Sequence, residues 1–435
     1  VRADGADAGE TSARPAVARL RTAFFAQRRK VTVAQDQIVD RVAALYDALS
    51  PGTQHAVDWT VEAIVGARTQ GRKVVVVTGS GPNVHEGVTT LLAELISKGI
   101  VGGVSTSSAV VAHEMAGALD RVRRVDGVDL GMDAAILPKG GRFEVTLCSD
   151  EDLEAIAAEI SVDKELIRRA MELPGEVIIK AAGNMGYPVG LRTERVALEI
   201  EALARESGLP FETVAGYGAD PMTMIGAGAL YDVPVLVSVP QLVGGGMVGM
   251  CIGDSIAQKR RCKLIADMLA DAAVIIESGV ALTQEIHDGP LETYTGHGIW
   301  AAWEGIETYS LHGKTLVRID LDPNLETAWN LERSGGSVQQ SIDKGLPKTK
   351  ALQVPFRMEM SGFARLEGSI PIVGDLGVIW PIISVLSADR LGVPLDFVSH
   401  PQETEEGQAM RDWIVESVRI LDRGRMLEQA REVGK

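Results

Sequence analysis

The strongest constraint on the fold is the stretch from Lys73 to Gly99. Val74 to Val77 form a continuous β-branched run that stops at Thr78-Gly79-Ser80-Gly81-Pro82. A helical spacing follows through Val88, Leu91, Leu92, Leu95 and Ile96 and ends at Lys98-Gly99. A strand with no polar alternation has to be covered on both faces, which is the situation of a parallel sheet with helical crossovers. Ile100 to Ser108 then reads as a second strand and Ala109 to Leu119 as a second helix. The alternation resumes with strands expected at Glu176 to Ile179, Phe211 to Ala215, Val233 to Val239, Ala273 to Ile276 and Thr315 to Leu321. Helices are expected at Thr193 to Ser207 and Ile252 to Ala270, and a helical insert at Cys148 to Leu173. The expected fold class is α/β, a doubly wound, mostly parallel sheet.

Extensions flank this core. Residues 1–15 are small and polar and are expected to be a disordered tail. Residues 16–72 read as an N-terminal helical extension, with Ile38, Val42, Leu45, Tyr46 and Leu49 at helical spacing before Ser50-Pro51-Gly52. The core is expected over 73–340 and a C-terminal α/β extension over 341–435. The extension ends in an amphipathic helix carrying Met410, Trp413, Ile414, Val418 and Leu421, which suits packing on the body or on a second subunit; a homo-oligomer is expected.

Composition excludes several partners. With 46% apolar and 23% charged residues, the 435-residue chain can bury a sizeable core. Its net charge of −16 repels phosphate backbones, so no nucleic-acid partner is expected. Three cysteines are too few for a disulfide framework or a four-cysteine zinc site, and no metal is expected. No run approaches the roughly 20 apolar residues of a membrane span, and a cytoplasmic location is expected.

Two glycine-rich turns and one acidic turn follow apolar strands. The first, Gly79-Ser80-Gly81-Pro82, allows close backbone approach to a phosphate or carboxylate, or is simply a tight turn. The second signal, Ile319-Asp320-Leu321-Asp322-Pro323, ends a strand in acids suited to ribose hydroxyls, or is an Asx turn. The third, Gly244-Gly245-Gly246, reads as a loop over a substrate or as a linker. His85-Glu86 and His113-Glu114 stand at two analogous strand-to-helix junctions and are proton-transfer candidates. Lys180, Asn184 and Arg192 surround another glycine loop, where Arg192 is either a carboxylate clamp or a surface arginine. His287, Asp288, Glu292 and His297 share a polar loop with no defensible zinc spacing.

Gly81-Pro-Asn-Val-His-Glu-Gly87, Leu95-Ile-Ser-Lys-Gly99, Ala109-Val-Val-Ala-His-Glu-Met115 and Gly127-Val-Asp-Leu130 occur in that order. Gly190-Leu-Arg192, Val233-Pro-Val-Leu-Val-Ser238 and Ile319-Asp-Leu-Asp-Pro323 follow. This series resembles the archaeal-type ornithine cyclodeaminase domain over about residues 73–340, and more distantly the NAD-binding fold of deoxyhypusine synthase. The resemblance departs at Ser107-Ser-Ala109, at Gly244 to Gly249, and at Ala281 and Leu282. It implies a Rossmann-like fold, NAD as cofactor, and a lyase that transiently oxidises an amino acid or amine to an imine. It also implies cofactor contacts from Gly79, Ser80, Gly81, Pro82, Ser107, Ser108, Asp320 and Asp322, with His113, Glu114, His85 and Arg192 as catalytic candidates. An aminoalkyl transferase and a non-catalytic nucleotide-binding protein are the alternatives.

Overall fold

The computed structural model describes residues 35–183, 185–279, 289–336, 340–341, 343–346 and 366–433. The strands among them are β1 (Lys73–Thr78), β2 (Gly103–Thr106), β3 (Leu119–Asp126), β4 (Arg142–Thr146), β5 (Glu176–Ala181), β6 (Val235–Val237), β7 (Ala272–Ser278), β8 (Thr315–Asp320) and β9 (Ser369–Val373). Six of them form one parallel sheet in the order β6-β2-β1-β7-β8-β9. Counted along the chain within that sheet, the order is 3-2-1-4-5-6, the Rossmann arrangement, with its switch point between β1 and β7.

The unbroken valine run has a direct cause. Val74 and Val76 enter one core, with Val274, Ile276, Val317 and Ile319; Val75 and Val77 enter another, with Ile275, Leu316 and Leu269. Both faces of the sheet are therefore dry, as its sequence requires. Helices Gln35–Asp47 and Pro51–Thr69 and the C-terminal helix Leu376–Arg390 pack together over the first core. Ser50 opens Pro51–Thr69, its hydroxyl accepting the Thr53 N–H at 3.2 Å. Ser369–Val373, assigned from sequence to the extension, is the sixth strand of the main sheet.

Three expectations are corrected. Phe211–Gly218 is a helix, not a strand; Phe211, Val214 and Ala215 are all fully buried, and a short buried apolar run carries no periodicity to separate the two. The helix expected over Ile252–Ala270 is two helices, Met247–Ser255 and Gln258–Ala270, because Ile256 and Ala257 turn extended. The helix expected to reach Leu119 ends at Met115, where Gly117 and Ala118 take positive φ and start β3.

The Glu176 strand exists, but in a separate antiparallel sheet, β4-β3-β5. One face of that sheet, with Val125 and Val145, packs on Leu153, Ile167 and Ala170 of the insert helices Asp150–Glu159 and Lys164–Glu172. The registers Asp120↔Lys180, Val122↔Thr146 and Arg124↔Glu144 put Asp120, Arg124, Glu144, Thr146 and Lys180 on the opposite face. Among the described residues, no helix is long and apolar enough to cross a membrane.

Candidate functional site

The carboxyl ends of β1 and β7 are tied together by side chains. Asn83 Nδ2 donates to the Ser278 carbonyl at 3.0 Å, the Ser278 hydroxyl donates to Asn83 Oδ1, and the Trp380 indole donates to Ser278 Oγ at 2.8 Å. The turn between β1 and this network is left open. Gly81 has φ +68°, and a Cβ there would meet nothing within 4 Å. Four buried hydroxyls toward the carboxyl ends of β1, β2 and β6 have no hydrogen-bond partner among the described residues: Thr78, Ser105, Thr106 and Ser238. Buried hydroxyls normally have one, so this edge holds unspent donor capacity.

The Gly81 turn runs straight into the helical turn Pro82–His85, and this delivers His85 to the polar face of the small sheet. Burial, then the charges of Arg411 and Lys180, hold the His85 imidazole below its ordinary pKa. His113, buried near the end of helix Ser108–Met115, is also pushed down, by burial first and then by His85 and Lys180. Its Nδ1 lies 2.6 Å from the Ala182 carbonyl oxygen. A carbonyl can only accept, so Nδ1 carries the proton and Nε2 keeps a lone pair.

Lys180, opposite Asp120 on β5, pairs with Glu144, which also accepts from Arg124 Nε at 2.9 Å. Burial alone would raise the Glu144 carboxyl, but the Lys180 and Arg124 hydrogen bonds outweigh it and hold it low. Burial pushes Asp120 up to about 6, although it accepts the Thr146 hydroxyl at 2.7 Å. A Cβ at Gly186 would lie 2.7 Å from Thr146 Oγ1, so only glycine lets that loop close over the pair. Two imidazoles held below their ordinary pKa thus share a site with Lys180 and with a carboxyl raised to about 6, a set able to accept and pass a proton near neutral pH.

The structure brings together His85, His113 and Lys180 and separates Glu114 and Arg192 from them. Glu114 accepts the backbone N–H groups of Met224 and Ile225, at 2.8 and 3.0 Å, and so anchors the start of helix Met224–Tyr231. Arg192 is buried, with Nε 2.7 Å from Glu159 and Nη2 2.9 Å from the Leu421 carbonyl. In place of the expected clamp, the structure shows a strut between the insert and the C-terminal segment, with Nε and Nη2 already taken. Ser107 caps helix Ser108–Met115, accepting the Val110 N–H at 3.2 Å. The Ser108 hydroxyl accepts the Gly245 N–H and donates to the Gln241 and Leu242 carbonyls, which seats the triple-glycine loop.

Asp320 accepts the Asp322 N–H at 2.9 Å in an Asx turn at the end of β8, two strands from β1. Glu292 organises its own loop, accepting N–H groups of Tyr294, Thr295 and Leu311. Asn184, Ala281, Leu282, His287 and Asp288 lie outside the described residues. Among the described residues, no group of three His, Cys, Asp or Glu is placed to hold a metal. Sequence reasoning missed Asp120, Glu144, Thr146 and Arg411. The polar alternation of Glu144 and Thr146 marks a strand face, but only pairing shows what that face meets.

No protein-family model matches the chain, and no curated protein matches its sequence. Among solved structures it is similar to a conserved LOR/SDH protein of Methanococcus maripaludis S2, at 11% identity over 79% of this chain and 71% of that one, with a TM-score of 0.38. It is also similar to ArgZ, an arginine dihydrolase from the ornithine-ammonia cycle in cyanobacteria, at 11% identity over 79% and 32% of the two chains, with a TM-score of 0.36. AgrE in complex with ornithine and NAD+ gives 12% identity, 79% and 34% coverage, and a TM-score of 0.36. The matched region spans about a third of the length of ArgZ and of AgrE.

Proposed function

We propose that this chain is an NAD-dependent enzyme that acts on an amino acid or amine by transient oxidation to an imine, in the manner of ornithine cyclodeaminase. The observation that carries the reading is one of position. The glycine turn stands at the switch point of a 3-2-1-4-5-6 sheet, where such folds take dinucleotides, and leads within four residues to His85 and its partners.

The residues present fit the cofactor. Gly81 leaves an open backbone, and the hydroxyls of Thr78, Ser105, Thr106 and Ser238 supply unspent donors along the same edge. Gly79, Ser80, Gly81 and Pro82 would border its diphosphate, and Asp320 and Asp322 its sugar hydroxyls. The chemistry supplied by the bound dinucleotide would be reversible hydride transfer. The protein's share is proton management. His113 would take a proton from the substrate ammonium at Nε2, and His85 would pass it on. Lys180 keeps Glu144 ionised, so that carboxylate does not compete for the proton. The Gly186 loop lies close against Asp120, whose Oδ2 would be 3.4 Å from a Cβ at Gly186.

The test is equilibrium dialysis against NAD, followed by hydride exchange with L-ornithine and related amines. Saturable NAD binding that weakens about 5- to 10-fold in Thr78→Val, with the melting temperature held, is expected. Absence of binding at millimolar NAD would overturn the cofactor assignment. Binding without turnover of any amine would make the chain a nucleotide-binding protein.

A further inference from the structure

A cleft of about 450 Å³ opens between helix Val189–Ser207, the end of the insert helix Asp150–Glu159 and the start of helix Arg423–Val433. None of the residues that line it belongs to the His85–His113 set. Its volume falls in the range of small-molecule sites. Ile160, Leu191 and Leu198 give it apolar walls, and Leu198 stands 42% exposed there.

The charges on its rim do not cancel. Arg423 grips Glu199 through two bonds, from Nε at 2.6 Å and from Nη2 at 2.9 Å. Glu159 is held by Arg192, whose Nε lies 2.7 Å away. Each lining carboxylate thus has its own guanidinium. Arg195 lines the same cleft with no ion pair or hydrogen bond among the described residues. An uncommitted guanidinium beside apolar walls suits a carboxylate carried on a hydrocarbon chain, whereas an ammonium would meet surplus positive charge.

The cleft also reaches His113 through packing. Ile160 packs against Ala116, Ile156, Ala182 and Val189, and it is the Ala182 carbonyl that fixes His113 Nδ1. We propose that this cleft is an effector site for an aliphatic monocarboxylate, seated on Arg195 with its chain against Ile160 and Leu198, whose occupancy is felt at His113. The assignment stands whether or not the chain oxidises amines.

The test is an NMR titration of the full chain, without NAD, that follows methyl and imidazole signals as hexanoate, acetate or hexylamine is added. Hexanoate should bind saturably. Acetate should bind at least about 10-fold more weakly, because it lacks the four methylenes that the walls cover, and hexylamine should not bind. Arg195→Gln and Leu198→Ser should each weaken hexanoate about 5-fold or more; both side chains are exposed, so folding should be unaffected. L-Norleucine has the same six carbons with an α-ammonium. Binding at least as tight as hexanoate supports an amino acid as the occupant, and weaker binding supports a plain acid. The Ile160 methyl and His113 ring signals should move together with occupancy. No saturable binding of hexanoate, equal binding of hexylamine, or an affinity unchanged in both variants would overturn the proposal. Saturable binding that leaves the His113 ring signals in place would overturn the effector role.

Discussion

His113 donates its Nδ1–H to the carbonyl of Ala182 across 2.6 Å, linking the helix that follows β2 to the loop that follows β5. This one bond joins the main sheet's crossover to the small sheet and also selects the imidazole tautomer. The His113 ring is therefore oriented by backbone, not by a neighbouring acid.

Separating those two roles is the first prediction. His113→Asn keeps an N–H near the Ala182 carbonyl and should fold with little loss of melting temperature, while losing turnover about 100-fold or more. Because burial holds this imidazole low, wild-type kcat/KM should fall only below an apparent pKa under 6.5. Thermal melts and a pH–rate profile check both halves. Full activity in the Asn variant would reduce His113 to a structural tie.

Glu114 should behave in the opposite way. Glu114→Ala leaves two buried N–H groups, of Met224 and Ile225, without an acceptor and should cost about 2–4 kcal/mol of stability in urea unfolding. Burial pushes this carboxyl up to about 7 from its ordinary 4.5. Between those values the folded state keeps a proton that the unfolded state releases, so this residue's contribution to stability declines as pH rises through the window. Glu114→Gln, which cannot titrate, should remove that part of the decline. An identical pH dependence in wild type and Gln variant would contradict the assignment.

Lys180 gives a prediction that needs no substrate. Its charge lowers the His85 pKa, so Lys180→Met should raise it, and an NMR titration of the His85 ring reads the change directly. A titration curve that stays put would show that the two groups do not share a site.

Much of the framework was legible in local pattern. The Val74–Val77 run, the Gly79–Pro82 turn and the acid-ended strand at Asp320 are short-range features, and each appears near where its spacing places it. The Phe211 segment was misread for the same reason that the valine run was read correctly: burial on every side leaves an apolar stretch without periodicity, and neighbours then choose between helix and strand.

The site divides along that line. Glycine and proline act on the backbone where they stand, so a turn at the end of β1 follows from residue identity. The partner of a charge is chosen by packing. Arg192 has every chemical qualification to bind a carboxylate, yet Glu159 and the Leu421 carbonyl reach it first. Arg411 shows no motif at all, and the docking of its helix against β3 and β5 brings it beside Ile179 and His85. Electrostatic and hydrogen-bond energies depend on separation in space, which the linear order of residues does not encode for groups more than two hundred positions apart.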